Sequence, residues 1–155
     1  MTPNEAAYRE IEQLLYRYAW MVDKREWNLM DQVFAPGGTI DYATTGGPGK
    51  MPYRDALNWL DEALSGYPIN LHHITNISVD VSGDEGKSRC YFTAPMGRKE
   101  ADGKSIFVTN AGYYLDDLRR VDGKWLIAAR YCDMTVQIGD LPADHFIPEA
   151  RPVGE

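Results

Sequence analysis

Along the N-terminal part of the chain apolar residues recur at steps of three and four: Ala7, Tyr8, Ile11, Leu14, Leu15, Tyr18, Ala19 and Val22. That spacing lays one stripe along an α-helix running almost to Asp23. Thr2-Pro3-Asn4-Glu5 supplies its start, with a hydroxyl N-cap, a proline at the first helical position and a reciprocal glutamate. A shorter helix is predicted next, with Trp27, Met30, Val33 and Phe34 inward, ended by Pro36-Gly37-Gly38. The apolar run Ile40 to Tyr42 reads as a strand. The glycine-rich stretch Gly46 to Gly49 lacks the lysine-serine ending of a phosphate loop and reads as a mobile flap. Leu57, Leu60, Ala63 and Leu64, after Pro52 and before Gly66 and Pro68, predict a third helix.

Beyond Pro68 the period changes. Leu71 to Val81, Lys87 to Gly97, Ser105 to Arg119 and Trp125 to Ile138 are rich in β-branched and aromatic residues. Ser82-Gly83-Asp84-Glu85-Gly86, Ala101-Asp102-Gly103 and Val121-Asp122-Gly123-Lys124 join them, and Asp-Gly between such runs signals a hairpin. Helices first and a meander of strands afterwards predict an α+β domain, its helices on one face of a strongly curved, mostly antiparallel sheet. Such a sheet closed by helices encloses a cone with a hydrophobic pocket. With no internal repeat and no low-complexity linker, residues 1–155 read as a single domain.

Charge narrows the partners. Sixteen Lys and Arg against twenty-three Asp and Glu give a formal charge of -7, so a nucleic acid would meet net repulsion. The N-terminus has no basic-then-apolar leader and no run is long enough to span a bilayer, which predicts a cytoplasmic protein without a membrane partner. Cys90 and Cys132 stand far apart and read as reduced, buried strand thiols.

Few residues remain to carry chemistry. His72 and His73 are strand neighbours and point to opposite faces, while His145 lies in a proline-bounded tail, so no three-ligand metal site is expected. A strand histidine is commonly a packed or surface residue. Given a carboxylate to fix its tautomer it is also a general base. Asp23 is the notable carboxylate, at the end of an apolar stripe, though a capping role is the commoner one. Tyr18 fits the core, and Tyr42 ends a strand beside the glycine-rich stretch, where a phenol can donate to a substrate or fill space. Arg130 among Trp125, Ile127, Ala128, Ala129 and Tyr131 needs either a structural partner or an anionic ligand. Asn110 poses the same question.

The stretches Tyr18-Ala19-Trp20-Met21-Val22-Asp23, Val33-Phe34-Ala35-Pro36, Ile40-Asp41-Tyr42, His72-His73-Ile74-Thr75-Asn76 and Val121-Asp122-Gly123-Lys124-Trp125, with Trp27, resemble SnoaL-like proteins of the nuclear transport factor 2 superfamily. The enzymes most similar in wording are scytalone dehydratase, hexachlorocyclohexane dehydrochlorinase and bile acid 7α-dehydratase. The resemblance implies an α+β cone and a cofactor-independent lyase or isomerase, a dehydratase or dehydrohalogenase acting on a hydrophobic cyclic molecule. It implies that Asp23 orients His72 as general base, that Tyr42 activates the substrate and that Tyr18 is exposed to the pocket. Arg130, Met96, Asn110 and Trp27 are the further candidates for substrate contact. The resemblance puts a second histidine of scytalone dehydratase near Pro95-Met96, and its replacement here disfavours a scytalone substrate. Strand alternation alone would turn His73 inward, with Thr75, Ile77, Val79 and Val81, whereas the family's spacing of histidine and asparagine selects His72. The resemblance further implies a homotrimer or homodimer, and the tail from Leu141 through Asp144, His145, Phe146, Ile147 and Pro148 reads as a cap on the pocket or a bridge between subunits. A non-catalytic binding protein or accessory subunit of the same fold, or an aldol cyclase using the same aspartate, is the alternative reading.

Overall fold

In the computed structural model, which describes residues 2–149, the N-terminal capping signal is realised in full. The Thr2 hydroxyl accepts from the Glu5 backbone N–H, the Glu5 carboxylate accepts from that of Thr2, and helix α1 runs Pro3–Asp23. Its stripe, Ile11, Leu14, Leu15, Tyr18 and Val22, is buried. At its end Arg25 takes a φ of 58° and turns the chain away.

The predicted second helix is a short 3-10 segment, Trp27–Gln32. Phe34 does not close it but opens strand β1 (Phe34–Asp41). Pro36-Gly37-Gly38 lies inside that strand as an irregularity, because a strand tolerates proline and glycine where its pairing is already interrupted. The rest follows as β2 (Met51–Pro52), α2 (Tyr53–Ala63), β3 (Ile69–Asn70), β4 (His73–Ser82), β5 (Glu85–Lys99), β6 (Ser105–Val121) and β7 (Lys124–Ile138). The four long strands are those the sequence predicts, to within a few residues. The glycine-rich stretch is packed: a Cβ on Gly47 would lie 2.5 Å from the Trp59 ring.

One sheet contains all seven strands, in the order β2-β1-β7-β6-β5-β3, with β4 also on the edge of β5. Pairing is antiparallel except for β1 with β7. The β6–β7 turn has Asp122 and Gly123 at φ 49° and 79°, the left-handed pair that a two-residue hairpin requires. The few helices pack on a strongly curled half-barrel, a cone of the α+β class.

Register fixes what the helix-facing side of the sheet presents. Ser88, Asp116 and Arg130 are paired across β5, β6 and β7. The next rungs are Cys90-Tyr114-Cys132, Phe92-Gly112-Met134 and Ala94-Asn110-Gln137. Both cysteines are free and buried. At Gly112 the β6–β7 register shifts, and a side chain there would run into the Asp133 carbonyl, so only glycine admits this bend. Among the described residues no helix is long and apolar enough to cross a membrane.

Candidate active site

Between α1, α2 and the inner rungs lies a cavity of about 330 Å³, at the small end of the range for ligand sites. Tyr18, Tyr42, His72, Met96 and Asn110 line it, five of the eight residues the sequence singled out. A wider depression of about 680 Å³ lies on the other side of the sheet among Lys87, Arg89, Asp80 and Asp117, but it brings together mixed surface charges and no catalytic grouping.

His72 owes its place to two interruptions. The stretch from Ile69 to Ser82 pairs along β5 as β3 and then β4, and it breaks at Leu71 and His72. There the His72 backbone N–H donates to Asp23 Oδ2 at 2.9 Å. Farther along, Asn76 takes a φ of 53° and the β4–β5 register shifts between Thr75 and Ser78. The extra residue reverses the alternation, so that Ile74 before it and Ile77, Val79 and Val81 after it all pack toward the core. This resolves the conflict between His72 and His73: His72 turns inward, and His73 is exposed, its Nδ1 3.3 Å from the Thr93 carbonyl.

Asp23, the last residue of α1, stands behind His72. Its Oδ1 is 2.6 Å from His72 Nδ1, with side-chain exposures of 10% for the histidine and 15% for the aspartate. A carboxylate only accepts here, so Nδ1 carries the hydrogen, and in the neutral ring the Nε2 lone pair is the one left free. The aspartate therefore holds both the backbone and the ring of one residue.

The second polar feature is a pair of phenols. Tyr18 and Tyr42, 1% and 3% exposed, share a hydrogen bond of 2.8 Å. Beneath them Arg130 is bound in two-pronged fashion to Asp116, Nε to Oδ1 at 2.7 Å and Nη2 to Oδ2 at 2.8 Å. Its guanidinium lies between the rings of Tyr18 and Tyr114, 4.1 and 4.2 Å from their centroids. Burial alone would disfavour the guanidinium charge, and the Asp116 charge and hydrogen bonds more than reverse that, so Arg130 stays a cation. Burial raises the Tyr18 phenol and Arg130 pulls against it, whereas for Tyr42 the neighbouring Tyr18 adds to the rise. Of the two, Tyr18 is the more readily polarised, and a donor so polarised strengthens the next one in the chain.

Two expected contacts do not materialise. Arg130 sits under the phenols rather than in the cavity, since its strand position pairs it with Asp116 across the ladder. Trp27 packs outside, with the Arg25 guanidinium 5.9 Å from its ring centroid. Asn110 accepts from Gln137 at 3.0 Å, its amide turned toward the Met96 sulfur. Further wall residues fall outside those eight. Phe92, Tyr114 and Cys132 fall on the inner rungs, which strand register would have revealed. Trp59 lies within α2 at helical spacing from Ala56 and Ala63, a signal the sequence does carry, whereas Tyr67 lies beyond the helix and carries none. Leu141, His145, Phe146 and Ile147 belong to a C-terminal segment that has no regular structure and closes the cavity, the capping role that is one of the two the sequence offers for this tail. His145 thus shares a cavity with His72, although no group of three or more His, Cys, Asp or Glu among the described residues could hold a metal ion.

Residues 5–131 match the SnoaL-like domain family. The chain belongs to that family. Uncharacterised proteins of Mycobacterium tuberculosis (strain H37Rv) and Mycobacterium bovis are 35% identical to this SnoaL-like chain over 122 residues, 78% of it and 80% of each relative. Among solved structures, a protein of Kribbella flavida superposes with a TM-score of 0.76 at 23% identity, covering 87% of this chain and 95% of its own. A candidate scytalone dehydratase of Novosphingobium aromaticivorans reaches 0.72 at 21% identity, covering 98% and 96%. A type 2 hexachlorocyclohexane dehydrochlorinase reaches 0.72 at 22% identity, covering 94% and 95%. At these identities the likeness is one of fold, the nuclear transport factor 2-like cone.

Proposed function

We propose that this SnoaL-like protein is a lyase or isomerase that removes a proton from carbon on a hydrophobic cyclic molecule, in an elimination of the dehydratase or dehydrohalogenase type. The observation that carries the reading is the Asp23–His72 contact of 2.6 Å at the wall of a largely apolar cavity. A histidine held by a carboxylate through Nδ1 offers Nε2 as a base and has its imidazolium stabilised once charged. His72 takes the proton, the C–H electron pair becomes an enolate or a carbon–carbon double bond, and in the elimination the leaving group departs with its own pair. Tyr42, backed by Tyr18 and the Arg130 charge, donates to a substrate carbonyl on which negative charge develops. Each function contributes roughly 10²–10⁴-fold to the rate. The scheme draws on no group beyond these side chains. The dehydratase and dehydrochlorinase descriptions of two structural neighbours support the same class.

The test screens cyclic ketones and halogenated cyclohexanes for elimination, then repeats any turnover with His72→Gln. A loss of about a hundredfold or more, with ligand binding retained, is the expected result. Full activity in His72→Gln would remove the base and leave a binding protein of the same fold as the better reading.

A further inference from the structure

The cavity holds a second acid–base pair that the proton-abstracting step does not use. Tyr67 follows α2, His145 lies on the C-terminal segment, and the Tyr67 hydroxyl is 2.7 Å from His145 Nδ1. Both line the same cavity as His72. His145 also borders a small surface depression beside Arg98 and Asp144, so it can exchange protons with water.

The pair is fastened from several sides. The Tyr67 carbonyl accepts from the Arg25 guanidinium at 3.0 Å and from the Asn70 side-chain amide, which ties it to the same turn that ends α1 after Asp23. Around His145, Asp144 accepts from Arg98 at 3.0 Å and the Pro148 carbonyl from the Trp59 indole at 2.8 Å. Ile147 fills the space beside Gly46, where a Cβ would lie 2.7 Å from its side chain. The two histidines differ in what holds them. His72 has a carboxylate on Nδ1, which makes it a base. His145 has a phenol there, and burial raises the Tyr67 phenol so that it keeps its proton.

We propose that Tyr67 and His145 are the proton-donating half of the site, delivering a proton to the departing oxygen of a β-hydroxy carbonyl substrate. This rests on the reading of His72 as base. His72 Nε2 takes the α-proton, the C–H pair forms the carbon–carbon double bond, and the C–O bond breaks with its pair on oxygen. That oxygen leaves as water, taking the Tyr67 hydroxyl proton. The His145 imidazolium then returns a proton to Tyr67, and solvent restores both histidines. The protein gains one proton at His72 and loses one at His145, and the substrate loses water. A halide needs no such donor, so the second pair selects a hydroxyl leaving group.

The deciding experiment compares β-hydroxycyclohexanone with β-acetoxycyclohexanone, which give the same enone while acetate departs without a proton. In Tyr67→Phe and in His145→Gln, each checked for folding by thermal unfolding, the acetoxy-to-hydroxy rate ratio is expected to rise about a hundredfold over the unsubstituted protein. Either folded variant suffices. His72→Gln is expected to lower both rates together and leave the ratio alone. An unchanged ratio in Tyr67→Phe and His145→Gln would overturn the acid assignment while leaving the base standing. No acceleration of either ketone by the unsubstituted protein, or full rates in His72→Gln, would overturn the base reading itself.

Discussion

Replacing Asp23 by asparagine keeps the shape of the side chain and changes only its hydrogen-bonding character, so its effect follows from the two contacts it serves. The carboxylate accepts from the His72 backbone N–H at 2.9 Å and from the ring Nδ1–H at 2.6 Å. Asparagine has one oxygen, which goes to the backbone donor because that N–H has no alternative state. Its NH₂ then faces Nδ1, and the ring satisfies it by moving its own hydrogen to Nε2. The fold loses one charge-assisted hydrogen bond, about 2 kcal/mol. The nitrogen free to act as base is now protonated, a wrong-tautomer penalty on the order of 10⁴-fold in turnover. The assay is a ¹⁵N–¹H correlation of the histidine rings with the imidazole neutral. The unprotonated nitrogen should be Nε2 of His72 in the native protein and Nδ1 in Asp23→Asn, with His72→Gln assigning the signals. An Asp23→Asn protein that keeps an unprotonated Nε2 and works within tenfold of the native rate would refute the argument, because Asp23 would then not be setting the tautomer.

Arg130→Met leaves Asp116 charged and without its cation at a site where both side chains are fully buried, and should cost about 3–5 kcal/mol in urea unfolding; Arg130→Met with Asp116→Leu should recover most of it. Burial pushes the Cys90 thiol up from 9.0 to about 11 and that of Cys132 to about 12, so neither should react with a thiol reagent in the native protein at neutral pH. Because the unfolded thiols ionise first, this contribution is complete below pH 9.0 and is lost as pH rises toward 11 and 12, by about 1 kcal/mol per pH unit for each thiol, which urea titrations across that window would measure. Asn76→Gly should be nearly neutral, whereas Asn76→Val places a branched side chain at a φ of 53° and should cost about 1–2 kcal/mol in thermal unfolding.

The architecture was legible because its signals are local. The capping box, the helical stripe, the Asp-Gly turn and the β-rich runs each act within a few residues, and each element they predict forms. The misreading at Pro36-Gly37-Gly38 has the same origin. A proline and two glycines do stop a helix, but here β7 supplies a parallel partner from the far end of the chain, and the segment becomes an irregular strand. The role of Arg130 was hidden for a related reason. Its partner Asp116 lies across a hairpin, and only the register of β6 with β7 sets the two side by side.

The histidines show where periodicity ends and chemistry begins. Counting faces back from Val81 puts His73 inside, and the count is sound as far as Ile77. It fails at Asn76, which adopts the left-handed conformation that asparagine tolerates better than the branched residues around it. An asparagine inside a β-branched run is therefore itself a signal of a bulge, and admitting one at that position brings His72 and Ile74 to the inner face without any appeal to kinship. Asp23 then completes the assignment from the other side: a carboxylate at the end of α1 accepts from the His72 backbone N–H at the break in the ladder, and the ring beside it follows. On this account the bulge and the dyad are one feature. A substitution that removed the bulge would flip His72 toward solvent and break its bond to Asp23, while His73 swung into the cavity with no carboxylate behind it.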